Sequence, residues 1–352
     1  MKGIRWLLLF FPVAVAAELL HWGDIVIFAA SALAIVPIAG VLGEATEVLA
    51  SRTSPHVGGL LNASLGNAAE LIITLVAINA GAIELVRASI IGSILGNLAL
   101  VLGLSLLVGG IKNGVQRFDR GRVGVDATMT ILAAIAISVP SFFNRAIEPD
   151  FPRVEGLSLA TAAVVLLLYA LSIIYALRLP SSNHHAAGEA AAHAGPLWSV
   201  RRAIAIMVAA VVGLAIMSEF LVGTLDTVTA TLGLTEFFVG IIIVPMIGNV
   251  AEHLVAVQVA HKNQMDLSLT IALGSSLQIA LFVAPVLVFV SLFMGNPMAL
   301  EFNEFEVIAM ISASVVAAFV ALDGRSNWLE GAMLLVVYGM LALGFFFLPA
   351  TL

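Results

Sequence analysis

The 352-residue chain contains no cysteine, and only 11% of its residues are charged. The first absence excludes a disulfide scaffold, thiolate metal sites and a cysteine nucleophile. The second excludes an ordinary water-soluble domain, in which about a quarter of residues carry charge. A basic excess is missing too. The net charge of -7 offers no footprint for nucleic acid. Enzyme signatures are equally scarce. His253 and His261 stand eight apart with no H-E-x-x-H spacing, and "GSSLQ" at 274–278 is no nucleophile elbow. What abounds is apolar surface. Sixty-one percent of residues are hydrophobic and the mean hydropathy is +1.11, the composition of a polytopic membrane protein.

A membrane-crossing helix needs about 20 mostly apolar residues. On that template the sequence predicts eleven spans: 4–20, 25–48, 58–80, 85–110, 123–143, 156–178, 201–224, 235–260, 266–293, 304–322 and 328–349. The runs are too long for strands and lack period-two alternation, so the predicted fold is all-α. Residues 4–20 have the cations and small residues of a leader peptide, but the next apolar run follows at once. They are read as a retained first helix.

Lys and Arg placement orients the bundle. With a cytoplasmic N-terminus, twelve of the fifteen lie inside: Lys2, Arg5, Arg52, Lys112, Arg117, Arg120, Arg122, Arg178, Arg201, Arg202, Lys262 and Arg325. Only Arg87, Arg145 and Arg153 fall outside. This predicts N-in, C-out. Trp6, Trp22, Trp198 and Trp328 sit at span ends as interface anchors. The long connection between spans, with His184, His185 and His193, reads as a low-complexity linker.

One ionisable group contradicts the apolar pattern. Glu70 ends "GNAAE" (66–70) in the middle of a predicted span, where a carboxylate costs at least about 2.5 kcal/mol. The motif recurs as "GNVAE" at 248–252. Twenty-two residues after Glu70 comes "GSILG", and twenty-two after Glu252 comes "GSSLQ". One span earlier, each copy carries a hydroxyl and a glutamate, Thr46-Glu47 and Ser218-Glu219. The chain therefore divides into an extra helix (1–24), a five-helix repeat (25–178), a cytoplasmic linker (179–200) and a second repeat (201–352). The two repeats enter the membrane from opposite sides. Inverted repeats place a substrate site near the midplane where the halves meet; Glu70 lies about 18 Å into its span, and Glu252 is likewise well inside its own.

Two facing carboxylates repel, so an empty site should hold at least one proton, while a divalent cation favours both charged forms. Nearby oxygens suit a hard cation such as Ca²⁺ or Mn²⁺. Asn67 shares a helix face with Glu70, as Asn249 does with Glu252; Ser93, Asn97, Ser275 and Gln278 follow one span later. Gly66 and Gly248 can loosen the backbone beside the ion. Protons and cation compete for the same oxygens, which describes an antiporter.

At these residues the chain resembles the cation/proton exchanger family of the calcium/cation antiporter superfamily. The paired "GNAAE" and "GNVAEH", "GSILGN" with "GSSLQIALF", and the one-plus-five-plus-five layout carry the resemblance over nearly the whole chain. It implies Ca²⁺/H⁺ exchange without a cofactor, with Glu70 and Glu252 as the central acids and Asn97 and Gln278 as polar positions on the crossing helices. The family's acidic stretch between halves is nearly absent here, and position 96 is Gly where many relatives have Ser.

Several roles stay open at this point. Gly-Ser is also common at tight helix crossings, so Ser93 and Ser275 are ligands or packing residues. Asn67 and Asn249 touch the ion or hold helices together. Glu47 and Glu219 are candidate proton or gating groups lining the way in from opposite sides. His253, present only in the second copy, is a proton relay, a gate or a packing residue. A sodium-coupled Ca²⁺ exchanger of the same fold and a passive cation channel are the alternatives. The expected setting is a cell membrane with lipid around a monomer or homo-oligomer.

Overall fold

The structure is a computed structural model and describes residues 2–53, 58, 61, 65–147, 151–178 and 198–348. The linker histidines, and residues 59, 60 and 62–64 of the expected 58–80 span, lie outside those residues.

Apolar runs become helices because lipid offers no partner to backbone N–H and C=O groups. A 3₁₀ stretch, Lys2–Leu9, leads into α1 (Phe10–Leu19). Then come α2 (Asp24–Ser51), α3 (Ala68–Asn79), α4 (Ile83–Asn113), α5 (Arg120–Ile147) and α6 (Phe151–Arg178). After the linker come α7 (Val200–Gly223), α8 (Leu225–Leu232), α9 (Glu236–Gly248) and α10 (Val250–His261). Finally α11 (Met265–Phe293), α12 (Glu304–Ala321) and α13 (Trp328–Phe346) complete the chain.

Among the described residues eight helices are long and apolar enough to cross a membrane, or nine if α8 and α9, bent by 108° at their junction, count as one. Eight of the eleven spans read from the sequence are thus single long apolar helices among the described residues. The 4–20 span is a 3₁₀ stretch joined to a ten-residue helix. The end of 58–80 is the twelve-residue α3, and 235–260 breaks at Asn249. Hydropathy reads straight through such breaks because Gly and Asn are too few to lower the average. Helix α8 occupies residues read as a loop. The all-α expectation fails in one small place, where β1 (Gln116–Arg117) pairs antiparallel with β2 (Arg325–Ser326).

Local chemistry sets the helix starts. Asn303 and Asn327 each form a capping box with the glutamate three residues on, Glu306 and Glu330. Ser199 and Thr235 cap α7 and α9 by accepting from the amides of Arg202 and Phe238. Proline stands inside α2 (Pro37) and α5 (Pro140), as is common in membrane-spanning helices.

Helices α4 and α11 form the middle of the bundle, with 72% and 61% of their most apolar stretch buried, against 17% for α6 and 22% for α13 at the rim. α4 packs on α9, α10 and α13; α11 packs on α5, α6 and α10; α2 runs along α7, and α7 lies on α3. The α4–α9 crossing needs glycine. A Cβ on Gly92 would lie 2.0 Å from the Ile241 carbonyl oxygen, and one on Gly240 only 2.8 Å from the Ala88 Cβ. Both long central helices also contain a π-helical turn, at Gly96–Val101 in α4 and at Ile279–Val283 in α11, and α9 has one at Val239–Ile243. Such turns leave the regular ladder and recur at functional sites.

Candidate cation site

Both copies of the Gly-Asn motif stand immediately before a new helix. Asn67 (φ -99°, ψ 30°) precedes α3, and Asn249 (φ -95°, ψ 1°) separates α9 from α10. Each new helix therefore begins at the motif, and Glu70 and Glu252 sit in its first turn. That position is favourable for a carboxylate, because unpaired N–H groups give a helix N-terminus a partial positive charge. The break offsets part of what burying an acid in the membrane costs.

The two breaks are tied across the halves. Asn67 Nδ2 donates to Gln278 Oε1 at 2.6 Å, and the Ser275 hydroxyl donates to Asn67 Oδ1 at 3.1 Å. Ser275 also lies within hydrogen-bonding reach of Glu252. In the other direction Asn249 Nδ2 donates to Ser93 Oγ at 3.2 Å and to the Pro245 carbonyl at 3.1 Å. Each motif asparagine thus bonds the Gly-Ser serine of the opposite copy. Glu70 lies against Gly248, where a Cβ would sit 3.6 Å from its Oε1, and it feels the charge of Glu252.

Asn67, Glu70, Ser93, Asn97, Asn249, His253 and Ser275 are buried; Glu252 and Gln278 are half-buried. Four buried polar atoms here have no hydrogen-bond partner: Glu252 Oε2, Asn249 Oδ1, Asn97 Nδ2 and His253 Nε2. Unpaired buried oxygens are rare in folded proteins, because each costs about 1–3 kcal/mol. Two of these are anionic or amide oxygens suited to a hard cation. Among the described residues no three His, Asp or Glu side chains converge. Any ion held here must complete its shell with neutral oxygens (amide, hydroxyl, backbone carbonyl or water), a weaker cage than the carboxylate-rich loops of tight Ca²⁺ sites.

Other expected residues fall as follows. The His253 ring edge lies 4.0 Å from where a Cβ on Gly96 would be, so the missing side chain at 96 leaves room for the imidazole. Glu47 is half-buried four residues from the end of α2, and Glu219 is exposed four residues from the end of α7. The hydroxyls beside them, Thr46 and Ser218, donate to carbonyls four residues back in their own helices. Two contributors were not read from sequence: the Pro245 carbonyl and Gly92. Nothing in a single chain marks a carbonyl, but the glycine stands beside Ser93 in the motif.

Interrupted helices meeting over two carboxylates inside an apolar bundle define a polytopic membrane protein with an intramembrane polar centre. The chain belongs to the sodium/calcium exchanger protein family, which it matches over residues 23–178 and again over 202–347. It is 42% identical to a Ca²⁺/H⁺ antiporter of Aphanothece halophytica, the match covering 98% of this chain and 96% of that one. It is 40% identical to the Ca²⁺/H⁺ antiporter ChaA of Bacillus subtilis strain 168, over 96% of both. Among solved structures, native YfkE superimposes with a TM-score of 0.86 at 38% identity, over 98% of this chain and all of that one. The H⁺/Ca²⁺ exchanger CAX gives a TM-score of 0.75 over 98% of this chain and 91% of its own; at 15% identity that likeness speaks for the fold alone.

Proposed function

We propose that the chain is a secondary antiporter that exchanges Ca²⁺ for H⁺ by alternating access, with Glu70 and Glu252 as a shared binding place for cation and protons. The observation that carries this reading is the crossed bonding of Asn67 to Ser275 and Gln278 and of Asn249 to Ser93, which brings both acids to one buried place with unpaired oxygens beside them. The relatives, named as Ca²⁺/H⁺ antiporters along almost their full length, support it. Chemistry on a covalent bond is not part of the function.

The mechanism follows from charge. With no cation, two acids in a low-dielectric site repel, and protonation relieves the repulsion. An arriving Ca²⁺ needs anionic oxygens, so it displaces those protons. Asn67, Asn249, Ser93, Ser275, Asn97 and Gln278 orient the acids and complete the oxygen shell, and Glu47, Glu219 and His253 act as proton or gating groups. Because cation and protons exclude each other, a site that opens to one side at a time must carry them in opposite directions. The two matched segments are then inverted five-helix repeats, preceded by one extra helix, with the N-terminus in the cytoplasm, the C-terminus outside, and lipid around the rim of a cell membrane.

Purified protein in sodium-free liposomes loaded with a pH dye tests this. External Ca²⁺ should drive protons out of the lumen, the flux should saturate, and unlabelled Ca²⁺ inside should stimulate uptake of labelled Ca²⁺. An obligatory sodium requirement would favour the sodium-coupled reading, and a non-saturating flux without counterflow would favour a channel.

A further inference from the structure

We infer that Asn113, Gln116 and Asn296 are positioning residues for the exchange: each half of the chain holds the far end of the other half's glutamate helix, as well as its near end. This rests on the antiport reading above.

The observation is a second set of crossed bonds, about two helical turns from the carboxylates. Helix α3 ends with the Ile78 carbonyl accepting from Asn296 Nδ2 at 2.8 Å. Helix α10 ends with the Ala260 carbonyl accepting from Gln116 Nε2 at 3.0 Å and from Asn113 Nδ2 at 3.3 Å. Asn113 Nδ2 also reaches the His261 carbonyl at 3.3 Å, and Gln116 Nε2 the Asn263 side chain at 3.1 Å. Ile78 and Ala260 are each eight residues beyond the motif glutamate, so the clamped carbonyls are equivalent positions of the two copies.

The donors are equivalent too. Asn296 stands three residues past the end of α11, the helix whose Ser275 and Gln278 hold the Asn67 break. Asn113 and Gln116 stand at and just past the end of α4, whose Ser93 holds the Asn249 break. One helix with its following loop therefore grips the partner half-helix at both ends. The last carbonyls of a helix have no partner inside it, so donors placed there fix where it stops. A twelve-residue helix is a rod about 18 Å long. Pinned at both ends, it cannot slide or fray, and its first-turn carboxylate keeps a fixed height relative to the other. The Gln116 side chain is 1% exposed and lies on Gly109, where a Cβ would come within 2.1 Å of its Oε1. That close fit is hard to reconcile with a loosely packed loop residue.

The test measures Ca²⁺-driven proton flux in liposomes for wild type, Asn296→Leu, Asn296→Gln, Asn113→Ala and Gln116→Met, at several pH values. We expect Asn296→Leu and Gln116→Met to raise half-saturating Ca²⁺ roughly threefold to tenfold, the range one lost hydrogen bond spans. The pH dependence should shift, and the maximal rate per folded molecule should change less than the half-saturation. Asn113→Ala should act more weakly, because Gln116 still holds the same carbonyl, and Asn296→Gln should restore much of the wild-type value. If the variants only reduce the amount of folded protein, with half-saturation and pH profile unchanged in what remains, the residues are structural and the proposal fails. Wild type that moves no protons with Ca²⁺ would instead overturn the antiport reading, and this inference with it.

Discussion

At the scale of single residues, the proposed exchange rests on Glu70 and Glu252, each in the first turn of a helix that begins at its motif asparagine. Replacing either by Gln keeps shape and hydrogen bonding but removes the charge that draws Ca²⁺. We expect Glu70→Gln and Glu252→Gln each to abolish Ca²⁺-dependent proton flux while leaving expression and detergent-phase monodispersity intact. Ser275→Ala should be milder. It deletes the bond to Asn67 Oδ1 and the contact with Glu252, so half-saturating Ca²⁺ should rise several-fold with transport retained, roughly as one lost hydrogen bond dictates. Much of this site was legible, because the repeated motif placed Glu70 and Glu252 as counterparts and marked Asn67, Asn249, Ser93, Ser275 and Gln278. What was not legible was the pairing. The sequence left ligand and packing roles as alternatives for the asparagines and serines, whereas the structure shows them bonded to one another across the halves.

Helix breaks, π turns and crossings are properties of the elements. The α4–α9 crossing leaves no room at Gly92, since an added Cβ would strike the backbone carbonyl of Ile241. Overpacking of this kind costs about 1–3 kcal/mol or more. We therefore expect Gly92→Ala to lower thermal stability in detergent and to abolish transport together. Asn67→Ala removes two cross-half bonds and should cost about 1–2 kcal/mol, in line with hydrogen bonds between membrane helices; the same melting experiment reads it. At this scale the sequence was a partial guide. Apolar length located α2, α4, α5, α7 and α11 well. It missed the short α8 and the break at Asn249, because neither changes average hydropathy enough to register. The π turns that contain Asn97 and follow Gln278 carry no residue signature at all.

Across the whole molecule, the absence of cysteine becomes useful. Single cysteines can be introduced without background labelling. Lys262→Cys should react with a membrane-impermeant maleimide only from the cytoplasmic side, and Ala80→Cys only from outside; both residues are exposed. The reverse pattern would invert the topology read from the Lys and Arg bias. The N-terminal 3₁₀ stretch meets α2 through Arg5, whose guanidinium lies 2.5 Å from Glu44. That pair is partly exposed, and such pairs contribute at most about 1 kcal/mol, so Arg5→Ala should leave stability nearly unchanged. Competition between protons and Ca²⁺ makes a further whole-protein statement: half-saturating Ca²⁺ should fall as pH rises on the binding side. The helical membrane class of the fold was readable from composition and the length of the apolar runs. The way α4 and α11 come together at the centre was not, because it depends on contacts between residues 150 and more positions apart.

The most direct test of a shared site needs no membrane. Purified protein in weakly buffered detergent solution is titrated with Ca²⁺ while released protons are counted, for wild type and for Glu70→Gln and Glu252→Gln. If the two ions compete for the same carboxylates, wild type releases protons in proportion to the Ca²⁺ bound, and each variant loses both binding and release. Tight Ca²⁺ binding with no proton release, or full release from either variant, would contradict a single site used in turn by cation and proton.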